Sequence, residues 1–255
     1  MKLKKRLDML LVEKGIAPSR QKARALIMAG EVLVDGQPVT KPGSAVSPVA
    51  EVTAKTAPHP FVSRGGVKLA GALEHYRLDV TDKACLDVGA STGGFTDCLL
   101  QNGARCVYAV DVGYGQLAWQ LRQDPRVHVI ERTNIRHMPP ELLPERVALA
   151  TIDVSFISLK LVVPAVMKCL RPEADILALI KPQFEVGREQ VGKGGVVRDR
   201  ALHRQVIESL SGRFSRLGLH AAPPVPSPIR GPKGNIEFFI LLNCRSKSSP
   251  PEIWG

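Results

Sequence analysis

The chain has 255 residues, 44% hydrophobic and 5% aromatic, with a formal net charge of +11. That length holds one medium domain plus a small one. The charge suits a polyanionic partner, while so few aromatic residues exclude base stacking as the main mode of any nucleic-acid contact. Cys85, Cys98, Cys106, Cys169 and Cys244 form no CxxC pair and lie in apolar runs, so the sequence predicts reduced thiols, a cytoplasmic protein and no metal site. No apolar run approaches the roughly 20 residues that span a bilayer, which argues against a membrane partner.

Residues 1–60 read as a separate module, with ten Lys and Arg against five acids. Leu7, Leu10, Leu11 and Ile16 fit a short amphipathic helix ending at Gly15. Ser19 is a natural N-cap for a second helix to Ala29, with Gly30 as its stop. Val32 to Val39, alternating about Asp35-Gly36, predicts a hairpin. The second helix carries Arg20, Lys22 and Arg24; Arg20 and Arg24 share a face. This module resembles the S4 RNA-binding domain in Arg6-Leu7-Asp8, Ser19-Arg20-Gln21-Lys22-Ala23-Arg24, Ile27, Gly30, Asp35-Gly36 and Lys41-Pro42-Gly43. The resemblance implies that Lys4, Arg6, Arg20, Lys22, Arg24 and Lys41 meet RNA phosphate, contacts that position a protein without reading sequence.

Residues 42–60 predict a strand plus a linker. From Phe61 to residue 245, strand-like and helix-like runs alternate: 84–88, a helix 94–101, 105–110, a helix near 116–122, 127–131, 147–153, a helix 159–170, 176–181, a helix 200–217, 219–223 and 236–242. Alternation of this kind predicts an α/β fold, a mostly parallel sheet with helices on both faces. The polar tail, 246–255, reads as loose.

Asp87-Val88-Gly89-Ala90-Ser91-Thr92-Gly93-Gly94-Phe95 follows an apolar strand and opens a helix, as a nucleotide-type cofactor loop does. Asp111 ends the next strand, 22 residues after Gly89, where an acid would bond ribose hydroxyls. On these residues NAD stays open. Thr133 and Asn134, a polar corner suited to an adenine edge, and Asp153 after the following strand favour S-adenosylmethionine.

Lys68, Asp153, Lys181 and Glu237 lie far apart in sequence, each at or near an element end. Two lysines and two carboxylates converging on one cleft could strip a proton from a hydroxyl. Lys181, at the end of an apolar strand, is the expected base, Lys68 the second cation, and Asp153 and Glu237 the groups that orient them. Glu237 also lies in an almost wholly apolar strand, where an unpaired acid would be costly.

Over nearly its whole length the chain resembles the TlyA-type ribosomal RNA methyltransferases, which are related to the FtsJ ribose 2′-O-methyltransferases. The motifs are Ser63-Arg64-Gly65-Gly66-Val67-Lys68, the loop from Asp87, Asp111-Val112-Gly113-Tyr114-Gly115-Gln116, Asp153-Val154-Ser155-Phe156, Lys181-Pro182-Gln183-Phe184-Glu185, Gly192-Lys193-Gly194-Gly195 and Gly231-Pro232-Lys233-Gly234-Asn235-Ile236-Glu237. The resemblance implies a Rossmann-like methyltransferase domain with a seven-stranded sheet, and S-adenosylmethionine as donor. It also implies a tetrad at Lys68, Asp153, Lys181 and Glu237, with ribose hydroxyls of ribosomal RNA or ribosomal subunits as acceptor. Arg64, Arg188 and Lys193 join the expected RNA contacts. The glycine-rich loop 185–198 lacks P-loop spacing and reads either as a basic flap over RNA or as a plain surface excursion.

Four other readings stand beside this one. C5 methylation of a base would need a nucleophilic cysteine after proline, which is missing. Exocyclic-amine methylation would need paired prolines where Val154 and Ser155 stand. A non-catalytic ribosome-binding factor would not need all four polar residues, and a membrane-active haemolysin would need an apolar or long amphipathic segment. The default oligomeric state is a monomer.

Overall fold

The computed structural model describes residues 4–17, 19–28, 30–54 and 59–244. The chain divides into two compact units, 1–60 and 61–255. The tail expected over 246–255 lies outside the described residues, as do 55–58 of the linker and the expected helix end at Ala29.

In the first unit β1 (Lys5–Arg6) leads into α1 (Leu7–Glu13) and α2 (Arg20–Met28). The spacing of Leu7, Leu10 and Leu11 turns one face of α1 inward, where it meets Ala23 and Ile27 of α2. The Lys22 amide donates to Ser19 Oγ at 3.2 Å, so Ser19 does cap the second helix. β2 (Val32–Val34) and β3 (Gln37–Pro38) form the hairpin. Asp35 and Gly36 both take positive φ, 48° and 76°, which a two-residue turn between right-twisted strands requires. β4 (Ala45–Val46) pairs with β1, and β5 (Val52–Ala54) pairs with β2. Asp8, wholly buried in this small core, is the feature the hydrophobic pattern does not reveal.

The second unit opens with α3 (Gly65–Tyr76). It continues with β6 (Ala84–Val88), α4 (Gly94–Gln101), β7 (Cys106–Val110), α5 (Trp119–Arg122), β8 (Val127–Ile130), β9 (Val147–Ile152), α6 (Leu159–Met167) and β10 (Leu170–Ile180). It closes with α7 (Arg200–Ser215), β11 (His220–Ala221), β12 (Val225–Pro226) and β13 (Phe238–Asn243). The sheet order is β11-β13-β10-β9-β6-β7-β8, with β12 also paired to β13. These seven strands are the expected sheet; the short β12 makes an eighth. β8, β7, β6, β9 and β10 run parallel, and β13 is antiparallel to β10.

Alternate residues of each strand serve opposite faces. Leu86, Val88, Ile176 and Ile180 pack on one face with Val163 and Val166 of α6 and Leu210 and Phe214 of α7. Cys85, Leu177 and Leu179 pack on the other with Leu69 of α3 and Leu99 of α4. The central strands β6, β7 and β9 are buried on both sides, which explains their unbroken apolar runs. The chain leaves β6 outward to β7 and β8, then returns to β9 on the other side of β6. This reversal opens a crevice beyond the carboxyl ends of β6 and β9, the switch point where open α/β sheets bind ligands.

Candidate active site

Two loops wall the crevice, one after β6 and one after β9. Gly89 has φ +87°, and a Cβ there would come within 2.5 Å of the Asp153 carbonyl oxygen. Only glycine lets these loops meet so closely. Asp111 then fixes the far wall: its Oδ2 accepts from the Ser91 amide at 2.8 Å and its Oδ1 from the Gly113 amide at 2.6 Å. A cavity of about 830 Å³ opens between the loops, lined in part by Gly89, Ser91, Asp111, Thr133, Asn134 and Asp153. Asn134 accepts from the Arg136 amide at 3.1 Å, capping the 3₁₀ turn Ile135–His137, and Thr133 Oγ1 donates to the Glu131 carbonyl at 2.9 Å. A second cavity of about 450 Å³ adjoins it, sharing Gly89, Ser91 and Asp153 and adding Ala90, Thr92, Gly94 and Phe95.

Asp87 and Gly93, expected at the cofactor, line neither cavity. Asp87 is wholly buried beneath the loop, where Thr96 Oγ1 donates to its Oδ2 at 2.6 Å. Burial pushes its carboxyl up to about 7, with the nearby Asp153 charge adding to the rise and the Thr96 bond opposing it. Its place in β6 faces it towards α4, so it supports the loop from below. Gly93 sits against Leu117 and Leu121 in the packing.

The four catalytic candidates form two ion pairs. Lys68, on the first turns of α3, places Nζ 2.6 Å from Glu237 Oε2, the side chains being 9% and 0% exposed. Lys181, directly after β10, places Nζ 2.6 Å from Asp153 Oδ1, the side chains being 10% and 21% exposed. Lys68 and Asp153 line the same smaller cavity, which brings the two pairs to one crevice. Strand ends and a helix start deliver all four, so rigid elements set the geometry.

Three further residues complete the site, Ser155 and Glu185 inside quoted motifs and Arg230 just before one, none with a role legible from spacing. Lys181 Nζ donates to Ser155 Oγ at 3.1 Å. Glu185 accepts from Ser158 Oγ at 2.6 Å and the Leu159 amide at 2.7 Å, tying the segment after β10 to the start of α6. Burial pushes the Glu185 carboxyl up. Arg230 lines the smaller cavity beside Arg64.

Among the expected RNA contacts, Lys4, Arg6, Arg20, Arg24 and Lys41 are exposed on the first unit, and Lys22 is half-buried. Arg6 donates to both Asp8 oxygens, at 3.0 and 2.9 Å, and Arg20 Nε donates to Oδ2 at 3.0 Å. The Arg6 guanidinium holds the Asp8 carboxyl well below the usual carboxylate range, against the effect of burial. The acid thus fixes two arginines side by side, with their outer N–H groups still exposed. Arg188 and Lys193 are exposed on the loop 187–198. Among the described residues no helix is long and apolar enough to cross a membrane.

Residues 61–244 match the model for FtsJ-like methyltransferases, and residues 5–52 match the S4 domain. The chain is 50% identical over 242 residues to the 16S/23S rRNA (cytidine-2′-O)-methyltransferase TlyA of Mycobacterium tuberculosis, covering 94% of this chain and 90% of that one. It is 40% identical over 235 residues to hemolysin A of Brachyspira hyodysenteriae, covering 92% and 98%. A solved structure described as a hemolysin of Streptococcus thermophilus superposes with a TM-score of 0.75 at 42% identity, covering 99% and 92%. With the switch-point crevice, the paired lysines and carboxylates and these matches together, the chain belongs to the FtsJ-like methyltransferase family and carries an S4 domain ahead of the catalytic one.

Proposed function

We propose that the protein methylates ribose 2′-hydroxyls of ribosomal RNA with S-adenosylmethionine as donor. The observation that carries this reading is Lys181, held directly behind Asp153 and Ser155, which line the cofactor-sized crevice. A neutral lysine amine has two N–H groups and one lone pair. Ser155 Oγ accepts one N–H and Asp153 Oδ1 lies 2.6 Å from Nζ, so the neutral amine would keep its lone pair for the proton of an incoming hydroxyl. No cysteine lines either cavity, so a covalent base adduct has no nucleophile there.

The residues present fit S-adenosylmethionine. The Asp111 carboxylate accepts one amide at each oxygen and has lone pairs left for two ribose hydroxyls. Asn134 with Val112 and Ile135 offers an edge and apolar walls for the adenine. The glycine turn at Gly89 lets the backbone approach the rest of the ligand. When bound, the cofactor supplies a methyl group on a sulfonium, open to in-line displacement by an oxygen.

This chain's own part is to align that oxygen, take its proton at Lys181 Nζ and keep the crevice electrostatically balanced through Lys68 and Glu237. The Mycobacterium relative is named for cytidine 2′-O-methylation, and the same acceptor class is proposed here. The S4 unit would anchor the RNA by its phosphates while the crevice receives an unstacked nucleotide.

Labelled methyl transfer from S-adenosylmethionine to unmodified ribosomal subunits, followed by nuclease and alkaline digestion, tests the reading. Label in alkali-resistant dinucleotides is expected. Label on a base would overturn the acceptor, and no label on any subunit would overturn the enzyme assignment for rRNA.

A further inference from the structure

We propose that Asn235 is a positioning residue that ties the basic loop 187–198 to the segment carrying Glu237, so that RNA held by the loop meets the Lys68–Glu237 pair in register. The inference rests on the ribose-methylation reading for its substrate, and on geometry alone for the tie.

Asn235 is 2% exposed and uses its whole amide on the loop: Nδ2 donates to the Gly195 carbonyl at 2.9 Å, and Oδ1 accepts from the Val197 amide at 3.1 Å. Its own carbonyl accepts from the Gly231 amide at 2.9 Å, closing the turn 231–235. Two residues later the chain delivers Glu237, whose Oε2 holds Lys68. The loop has no long helix or strand of its own to hold its base. Four of its glycines, Gly187, Gly192, Gly194 and Gly195, leave the backbone free, and Gly194 and Gly195 both have φ +79°. Its outer part is a 3₁₀ turn, Arg188–Gln190, and its base holds one isolated bridge, with the Gly192 amide donating to the Val196 carbonyl at 3.2 Å, and a turn in which the Gly195 amide donates to the Gly192 carbonyl at 3.0 Å. His203, buried on α7, reaches the Val197 carbonyl at 3.0 Å through Nε2 and packs edge-on against Phe238.

The loop base is therefore pinned from two sides, by Asn235 and by His203, and both pins sit next to the strand that follows Glu237. A loop that only decorated the surface would not need a buried side-chain amide at its base. Arg188 and Lys193 stand on the exposed part of this same loop. Fixing its base limits where those charges can hold a phosphate relative to Lys68, which is the geometric control that an aligned displacement demands.

Asn235→Ala, Asn235→Asp, the loop variant Arg188→Ala with Lys193→Ala, and the triple combination test this in the full-length protein. Methyl transfer is measured while ribosomal subunits and S-adenosylmethionine are varied in turn, and exchange of the Val197 amide is followed without substrate. Asn235→Ala is expected to raise the KM for RNA ~10-fold, the scale of lost buried hydrogen bonds, with the KM for S-adenosylmethionine unchanged. Asn235→Asp keeps the acceptor for the Val197 amide and is expected to fall between wild type and Asn235→Ala. The loop substitutions should then cost little more in the Asn235→Ala background than Asn235→Ala costs by itself, because a released loop no longer places its charges. Additive effects, or an unchanged KM for RNA, would overturn the proposal. If wild type transfers no methyl to rRNA, the ribose reading fails instead, and Val197 exchange still decides the tie: faster exchange in Asn235→Ala supports it and unchanged exchange sinks it.

Discussion

The two ion pairs of the site use the same chemistry in different surroundings. Lys68 and Glu237 form the pair with the sealed acid: Glu237 is wholly buried and its Oε1 has no hydrogen-bond partner among the described residues, while Lys68 itself lines the smaller cavity. Lys181 and Asp153 form the pair with the open acid: Asp153 lines both cavities and is about one-fifth exposed, while Lys181 is as buried as Lys68 and donates to Ser155 Oγ. A sealed carboxylate cannot trade protons with a substrate, but it can hold an element in place and set the local field. A carboxylate at the wall can do both. The difference between the two acids is consistent with the proposal that Lys181 takes the proton while Lys68 and Glu237 hold the site.

The largest expected effect comes from breaking the open pair. Lys181→Ala should lower kcat by about 10²–10⁴-fold, the range for loss of a general base, while RNA affinity stays near wild type. Single-turnover methyl transfer together with filter binding separates the two quantities. A variant that binds RNA poorly but turns over normally would mean that Lys181 only holds phosphate.

Breaking the sealed pair should act first on stability. Glu237→Gln leaves a buried Lys68 cation without its counter-charge, at a cost of about 3–5 kcal/mol. Asp153→Asn should cost less stability, because Asp153 is about one-fifth exposed and lines both cavities, so its charge is only partly desolvated. Replacing both partners, with Lys68→Met and Glu237→Gln, should recover most of the stability and none of the activity. Urea unfolding of the four proteins checks the order; equal losses for Glu237→Gln and Asp153→Asn would erase the distinction. Gly231→Ala probes the same pocket sterically, since a Cβ there would collide with the Glu237 carboxylate, and it should mimic Glu237→Gln in part.

Behind the open pair lies Asp87. Its folded pKa of about 7 stands above the ordinary 3.8. Between those values the folded chain keeps a proton that the unfolded chain has lost. Stability should therefore fall as pH rises from about 4 to about 7, by at most ~1.4 kcal/mol per pH unit, and level off above. Asp87→Asn keeps a partner for Thr96 and should flatten that slope. Measurements from pH 5 to 8 also avoid Asp8, whose depressed pKa gives stability above 3.8 that is lost only as pH falls further. Parallel slopes for wild type and Asp87→Asn would show that Asp87 is ionised throughout.

Sequence alone located β6, α4 and the tetrad because their signals are local: an apolar run, a glycine turn, a charge at a strand end. It assigns no element to residues 65–76, where Gly65, Gly66 and Gly71 weaken helix propensity; packing overrides it, and Gly66 is needed because Phe61 occupies the space of its missing side chain. β10 starts at Leu170, not Ile176, because the polar stretch Arg171-Pro172-Glu173 interrupts the apolar pattern without ending the strand. α5 is limited to Trp119–Arg122, shorter than the span 116–122 suggested by pattern. Asp87 was legible as a motif residue but not as a buried one, since a motif does not say which side of a strand its carboxyl faces. Asp8, Ser155, Glu185 and Asn235 act through partners distant in sequence, and no spacing rule reports those.

The smallest expected effect sharpens the comparison most finely. Glu185 belongs to neither pair, yet it ties the segment after Lys181 to Ser158 and Leu159, the residues that follow Asp153 and Ser155. Glu185→Gln keeps an acceptor for one of the two donors and should cost about 1 kcal/mol, the scale of a lost helix cap. If the tie also keeps Ser155 beneath Lys181, kcat should fall several-fold with both KM values unchanged, and Ser155→Ala in the Glu185→Gln background should add little. The sealed pair should be indifferent: Glu237→Gln combined with Glu185→Gln should lose the sum of the two single stability costs. Coupling between Glu185 and Glu237 instead would mean that the two pairs are one unit, and that the difference in their exposure does not divide their work.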